Sequence, residues 1–408
     1  MNFIKTNIAG IASEIKTGKT PPTSNPEYFR DEINWYTPGD LDKGKFLSKS
    51  QRRISKKAID DKKAVIFKPN TLLIGCIGDI GKIGITTGVS SSNQQLTGLL
   101  PDDKKVTTEY LYYWLKSKKK LFQNTSTNAI VPILNNRQLG SIKISIPENL
   151  SYQIFITDIL SKAENLISQR KQSIALLDEF LKSTFLEMFG DPVWNEKMWV
   201  KLKLSDVCTK IGSGATPRGG KESYHKSGMS LIRSLNVHND IFLYKDLALI
   251  DDKQAEELKN VNVEGNDVLL NITGASVARC CIVPSQILPA RVNQHVSIVR
   301  PNPNILNPVF LSRMFTSNAC QSFLIRNSKS KGATREAITK DEIERLEVIV
   351  PNIELQIRFA QIVEKTEAIK AQYQISLQEL ENLYGSLSQR AFRGELTLGK
   401  HRDIIINV

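Results

Sequence analysis

The chain repeats itself, and this constrains its fold more than any other feature. Gly18, Thr20, Pro21 and Tyr28 recur 196 positions later as Gly214, Thr216, Pro217 and Tyr224. At the same offset Leu73 and Gly78 meet Leu269 and Gly274, and Asn93-Gln94 meets Asn293-Gln294 four residues further on. Lys143 to Ile154 (KISIPENLSYQI) resembles Glu347 to Ile357 (EVIVPNIELQI), which aligns Gln153 with Gln356. Ile159, Glu164, Ser173 and Leu177 then meet Ile362, Glu367, Ser376 and Leu380, all 203 apart. An ordered series at one slowly drifting offset implies two copies of one unit.

Each unit has two parts. The first is rich in Gly, Pro and short β-prone runs, such as Ala64 to Phe67, Leu72 to Ile74 and Ile142 to Ile146, which predict strands between turns. The second lacks Pro and Gly until Gly190, and in the other copy from Asn352 to Gly385, which is helix composition. Ile156, Leu160, Ala163, Ile167, Arg170, Ile174, Leu177, Leu181, Thr184 and Met188 alternate four and three apart, the spacing of a coiled-coil seam. Phe359, Val363, Thr366, Lys370, Tyr373, Leu377, Leu380, Tyr384 and Leu387 continue the phase in the second copy. About 33 residues of helix would run ~50 Å, ending at Gly190-Asp191-Pro192 and at Gly394. The expected architecture is mixed α+β: two α/β domains in tandem pseudo-repeat, separated by two long antiparallel coiled-coil helices. The predicted boundaries are 1–150 and 191–350 for the globular domains, 151–190 and 351–396 for the helices, and 397–408 for a tail.

The chain of 408 residues carries a net charge of +13, an excess that suggests a polyanionic partner. Its distribution is informative. Residues 1–150 hold 23 basic against 13 acidic side chains and residues 197–350 hold 21 against 15, whereas the two helical stretches are acidic or neutral. A polyanion is therefore expected at the globular domains, with the helices left for spacing or protein docking. Basic clusters fall at Arg52, Arg53, Lys56 and Lys57, at Lys116 to Lys120, and at Arg326, Lys329, Lys331 and Arg335. Lys116 to Lys120 also reads as a solvated helix end. The amides of Asn93-Gln94-Gln95 and Asn293-Gln294-His295 suit adenine, and equally suit a strand-end hydrogen-bond network.

Catalytic motifs fail one by one. Gly75, Gly78, Gly81 and Gly84 lack the GxxxxGK[ST] of a phosphate loop and fit tight strand turns. Asp191-Pro192-Val193-Trp194 and Asn25-Pro26-Glu27-Tyr28 graze the [DN]PP[YF] motif of amino-methyltransferases but lack its second proline, and no cofactor loop accompanies them. Pro101 to Lys105 (PDDKK) is too tightly spaced for a nuclease metal site. Five cysteines without CxxC spacing and four scattered histidines argue against zinc and fit reduced thiols in a cytoplasm. The start has no charged segment followed by an apolar run, and no stretch approaches a membrane span.

Two units, each opening with GxTP and an aromatic-rich stretch (Gly18 to Pro21, then Tyr28, Phe29 and Trp35; Gly214 to Pro217, then Tyr224), resemble target-recognition domains. Each closes with a proline, a short spacer and a glutamine leading into a long helix. With Phe185 to Pro192 and Gln389 to Leu396 at the helix ends, the whole chain resembles the specificity subunit of type I restriction–modification systems. Trp35 has no aromatic counterpart at Leu231, and Lys370 interrupts the second seam.

The resemblance implies a non-catalytic, cytoplasmic subunit from a bacterium or archaeon that serves phage defence. Each domain would read one half of a bipartite double-stranded DNA site. Two methyltransferase subunits carrying S-adenosylmethionine would dock on the helices and methylate adenine, and restriction subunits using ATP and Mg would join them. No cofactor or metal is implied for this chain. Recognition domains vary at the positions that matter, so candidate DNA contacts are chosen by chemistry. They are Lys19, Arg52, Arg53, Gln94 and Gln95 in the first unit, and Arg218, Arg233, Arg279, Gln294, Lys329, Lys331 and Arg335 in the second. Ile154, Phe155, Leu166, Leu176 and Phe180, off the seam, are candidates for partner docking. Rival readings are a stand-alone DNA-binding regulator, an enzyme with a methyltransferase site at Asp191 to Trp194, and a scaffold, which leaves the charge on the domains unexplained.

Overall fold

The computed structural model describes residues 2–119, 122, 133–217, 224–329 and 337–396. The chain divides into two compact units, residues 1–171 with 375–408 and residues 172–374. Among the described residues no helix is long and apolar enough to cross a membrane.

In the first unit, Phe3–Asn7 pairs antiparallel with Lys143–Pro147. A five-stranded sheet follows the order Ala12–Thr17, Leu96–Pro101, Leu72–Gly75, Ile83–Thr86, Phe46–Leu47. A three-stranded sheet sets Ile33–Tyr36 between Arg52–Ile54 and a parallel Ser90–Ser92. The predicted strand at Ala64 to Phe67 does not form. Phe67 makes a single bridge to Ser90, because the run lies between Lys62 in a left-handed turn and the breaker Pro69-Asn70. Gly78 (φ 76°) and Gly81 (φ 86°) turn the chain between Leu72–Gly75 and Ile83–Thr86, as the glycine spacing predicts.

The second unit repeats these pairings. Cys208–Ser213 lies antiparallel to Val296–Pro301, and Met229–Ile232 lies parallel to Ala290–Val292. The repeat extends to an irregularity: the register slips between Ala12 and Glu14 in one unit and between Cys208 and Lys210 in the other. Bulges of this kind bend a strand and set where its end points.

Two long helices each contribute to both units. The central helix spans Leu150–Phe189 and the distal helix Ile353–Arg393. Asn149 and Asn352 cap their starts by accepting from the amides of Ser151 at 2.8 Å and Glu354 at 3.0 Å. Gly190 (φ 75°) and Gly394 (φ 77°) end them in the left-handed conformation that favours glycine. The helices run 40 and 41 residues. Gly385 does not stop the distal helix: a single helical glycine costs only ~1 kcal/mol, and Tyr384, Leu387 and Ala391 around it pack into the first unit's core.

Within each unit the two helical segments run antiparallel. In the first, Lys171 pairs with Glu381 at 2.8 Å and the Tyr152 hydroxyl donates to the Leu396 carbonyl. In the second, the rings of Phe185 and Phe189 meet Phe359 at 5.5 and 5.4 Å, while Lys370 reaches Asp178 at 2.5 Å. The predicted seam residues of both helices are buried or half-buried. Lys370 is tolerated there because Asp178 and, at 3.8 Å, Glu367 neutralise it.

Candidate nucleic-acid interface

One polar tip recurs in both units, built from the GxTP and Asn-Gln segments. Asn93 and Asn293 are buried, and their amides donate to the Tyr36 and Ile232 carbonyls at 3.0 Å each. Their side-chain oxygens accept from the amides of Gln95 at 3.1 Å and His295 at 3.0 Å. The resulting tight turns leave Gln94 and Gln294 exposed at the tip. Gly18 and Gly214 pass so close behind that a β-carbon would lie 2.3 Å from the Asn93 carbonyl oxygen and 1.7 Å from that of Val292. That close passage brings the next residues against the tip, where the hydroxyls of Thr20 and Thr216 donate to Oε1 of Gln94 and Gln294.

Around the first tip, Arg52 is exposed and the central carbon of its guanidinium lies over the rings of both Phe29 and Trp35, 5.1 Å from each centroid. Arg53 pairs at the surface with the exposed Asp31 and donates to the Glu32 carbonyl, at 3.0 Å each. Lys19 donates to the Lys62 carbonyl at 2.8 Å. Gln95 folds back to accept from the Asn93 amide at 2.8 Å, the strand-end network rather than an outward amide.

Around the second tip, Arg233 lies over the Tyr224 ring, 5.0 Å from its centroid, and donates to the Asp246 carbonyl. A cavity of about 460 Å³ opens beside it, lined by Ser234, Thr273, Ser276, Arg279 and His295. His295 Nδ1 lies 2.6 Å from Thr273 Oγ1 and its Nε2 lies 3.3 Å from Gln294 Nε2. Lys329 is exposed at the end of the helix Asn318–Lys329. Arg218, Lys331 and Arg335 lie outside the described residues.

Lys116 belongs to neither tip. Burial opposes its charge, but hydrogen bonding to Glu164 and neighbouring negative groups raise its pKa above the ordinary value. Glu367, the repeat counterpart of Glu164, holds Arg313 at 2.8 Å. Phe29 and Trp35 stood out in the sequence as aromatics, but not as the rings beneath Arg52, and the cavity residues Ser234, Thr273 and Ser276, which come from separate segments, carried no signal there. Thr20 and Thr216 were already marked by the repeat, but only the fold shows what they touch.

On the helices, Ile154, Leu166, Leu176 and Phe180 are about half exposed. Phe155 departs from the expected exposed face: it is half-buried, stacked on Tyr152 at 5.8 Å and packed against the first unit's core. Among the described residues no cluster of three His, Cys, Asp or Glu side chains is placed to hold a metal.

The fold defines a duplicated recognition protein whose two units end in equivalent polar tips. Residues 7–177 and 196–382 each match the family described as the type I restriction modification DNA specificity domain, and the chain belongs to that family. It is the DNA-specificity type of subunit, which recognises a target and does not catalyse. The MjaIX specificity subunit of Methanocaldococcus jannaschii is 24% identical, over 94% of this chain and 91% of its own length. The EcoBI specificity subunit of Escherichia coli is 21% identical, over 81% and 74%. The type I S subunit of M. genitalium shares the fold at a TM-score of 0.58, with 15% identity over 96% of both chains. A chain from the type I R-M assembly, 16% identical over 97% of this chain and 98% of its own, superposes at 0.59.

Proposed function

We propose that each unit reads one half of a bipartite double-stranded DNA site, with an unread gap between the halves. The observation that carries this reading is the duplicated tip, built from Gly18, Thr20 and Gln94 in one family-matched segment and from Gly214, Thr216 and Gln294 in the other. Paired half-site readers usually occupy two copies of a chain; here one chain holds both, so the two halves of its site can differ in sequence. The recognition domains are assigned to 1–150 and 191–350, the helices to 151–190 and 351–396.

Arg52, Gln94, Arg233, Arg279, Gln294 and Lys329 are the DNA contacts that geometry favours, being exposed, set over an aromatic ring or lining the open cavity. Lys19, Arg53 and Gln95 are held by the Lys62 carbonyl, Asp31 and Asn93 and act as supports, whereas Arg233 combines a bond of this kind, to the Asp246 carbonyl, with its place over the Tyr224 ring. Arg218, Lys331 and Arg335 remain candidates on their chemistry alone.

Two methyltransferase subunits dock on the helices, where exposed Ile154, Leu166, Leu176 and Phe180 support an apolar contact. S-adenosylmethionine belongs to those subunits, and ATP with Mg to the restriction subunits. The target adenine is flipped out of the duplex by the methyltransferase. The setting is the cytoplasm.

Co-expression with the methyltransferase subunit from the same locus, followed by single-molecule sequencing of modified adenines, tests the reading. A bipartite motif that needs both chains is expected. Specific DNA binding by this chain with no methylation in any combination would overturn it in favour of a stand-alone regulator.

A further inference from the structure

The GxTP segments do more than shape the turn, since their threonines donate to Gln94 and Gln294. Each glycine admits the close passage described above, and each proline is buried directly after the threonine. Proline fixes its own backbone angle and restricts the residue before it, so the threonine is held against the tip by a stiff backbone. Both threonines are half-buried while both glutamines are exposed.

A free glutamine side chain rotates, and its amide presents donor and acceptor in either order. A hydroxyl donating to Oε1 removes that freedom: the oxygen end is turned to the threonine and the Nε2 donors take a set direction. In the second unit Nε2 is also held at 3.3 Å from His295 Nε2. One lone pair of Oε1 and at least one N–H stay available, which is the pair that a glutamine offers to the major-groove edge of adenine.

We infer that Thr20 and Thr216 are positioning residues for specificity, each orienting the amide of Gln94 or Gln294 toward one base pair of its half-site; this rests on the reading that the tips meet DNA. The threonines themselves touch no base. They convert a flexible amide into one with a defined order of donor and acceptor, and loss of either hydroxyl blurs one base position while leaving phosphate contacts in place.

The test uses the full chain assembled with its methyltransferase subunit and a double-stranded oligonucleotide library randomised at each position of the mapped site. Thr216→Val is expected to lower discrimination at one base pair of one half-site by about tenfold. Thr216→Ser should restore it, and Thr20→Val should act on the other half-site only. Binding to unrelated DNA and its salt dependence should not change, since no phosphate contact is lost. Gln294→Ala should blur the same base pair as Thr216→Val, and the double variant should be no worse than Gln294→Ala alone. If the valine variant melts early, Thr216→Ala replaces it, judged on the same base preference. Full discrimination in Thr216→Val and Thr216→Ala alongside a loss in Gln294→Ala would overturn the positioning role. Unchanged preferences in Gln294→Ala and in Gln94→Ala would instead overturn the underlying reading of the tips.

Discussion

Gln153 and Gln356 make matching sets of three bonds in the two units. Each amide oxygen accepts from the residue that caps a neighbouring helix, Thr107 at 2.9 Å and Asn307 at 2.8 Å. Each amide nitrogen donates to two carbonyls, Lys105 and Pro147 in one unit, Ile305 and Pro351 in the other. Both side chains are fully buried. They tie the start of each long helix to the turn that leads into Thr108–Ser117 in one unit and Pro308–Thr316 in the other, which explains why glutamine follows the proline in both copies.

Alanine at either position would leave one buried donor and two carbonyls without their partner. Gln153→Ala and Gln356→Ala are each expected to cost about 2–4 kcal/mol, summing the penalties of unsatisfied buried groups. Urea unfolding measures this. A loss below about 0.5 kcal/mol, the size of an ordinary surface change, would show that the bonds do not fasten the helix.

The glycine of each GxTP segment supports a matched comparison. Alanine at Gly18 or Gly214 puts a β-carbon into a backbone carbonyl, which a side-chain rotation cannot relieve. Each substitution should cost about 1–3 kcal/mol and weaken recognition of its own half-site. Gly265 meets nothing within 4 Å, so Gly265→Ala should stay within about 0.5 kcal/mol. Equal melting temperatures for Gly214→Ala and Gly265→Ala would contradict the close passage.

Lys370 sits in an otherwise largely apolar seam, yet its partner Asp178 is 42% exposed while Lys370 itself is 15% exposed. That asymmetry sets the outcome of each deletion. Lys370→Leu restores an apolar seam residue and returns Asp178 to water, so its cost should be under about 1 kcal/mol. Asp178→Ala leaves a half-buried ammonium with only Glu367 at 3.8 Å and should cost more. Thermal unfolding of the two variants decides; the reverse order would mean the ion pair itself stabilises the seam.

Much of this was legible in the sequence, for identifiable reasons. The helices announced themselves because coiled-coil spacing is local, and the seam residues lie where the spacing puts them. The paired units were legible because identities such as Gln153 with Gln356 survive at one offset. Contacts between distant loops were not. Arg52 comes to lie over Phe29 and Trp35 only after the three-stranded sheet brings them together, and Arg53, its equal by charge, pairs with Asp31 instead. Phe155 looked like a surface residue by helical position, but the aromatic ring of Tyr152, three residues before it, draws it toward the core.

Buried acids of high pKa make the fold sensitive to alkali. Burial pushes the Cys76 thiol up to about 11 and those of Cys281 and Cys320 up to about 12, from an ordinary value near 9. It likewise raises the Tyr36 hydroxyl from near 10 to about 12. The unfolded chain releases these protons first, so it binds fewer than the native chain as pH rises, and stability falls. The contribution is complete below pH about 9 and is lost toward about 11 to 12. The urea midpoint should therefore decline from pH 8.5 to 10.5, and Cys76→Ala should flatten its share of the decline. The same burial makes these thiols slow to react with alkylating reagents at neutral pH. A flat midpoint across that range would count against it.

Arg52 distinguishes charge from shape. Its guanidinium lies 5.1 Å from two rings whose own planes meet edge to face, 6.2 Å between centroids. A planar cation held there keeps its outward N–H groups in one orientation, as a base edge requires; lysine keeps the charge but neither the plane nor the fork. If Arg52 reads a base, Arg52→Lys should cost about 1–3 kcal/mol at one base position and little elsewhere. If it only neutralises phosphate, Arg52→Lys should bind all sequences nearly as well as the parent, and Arg52→Ala should weaken all of them alike. Binding of the assembled complex to single-base variants of its site separates the two. The two rings beneath Arg52 favour the first outcome, because a phosphate contact needs no aromatic cradle.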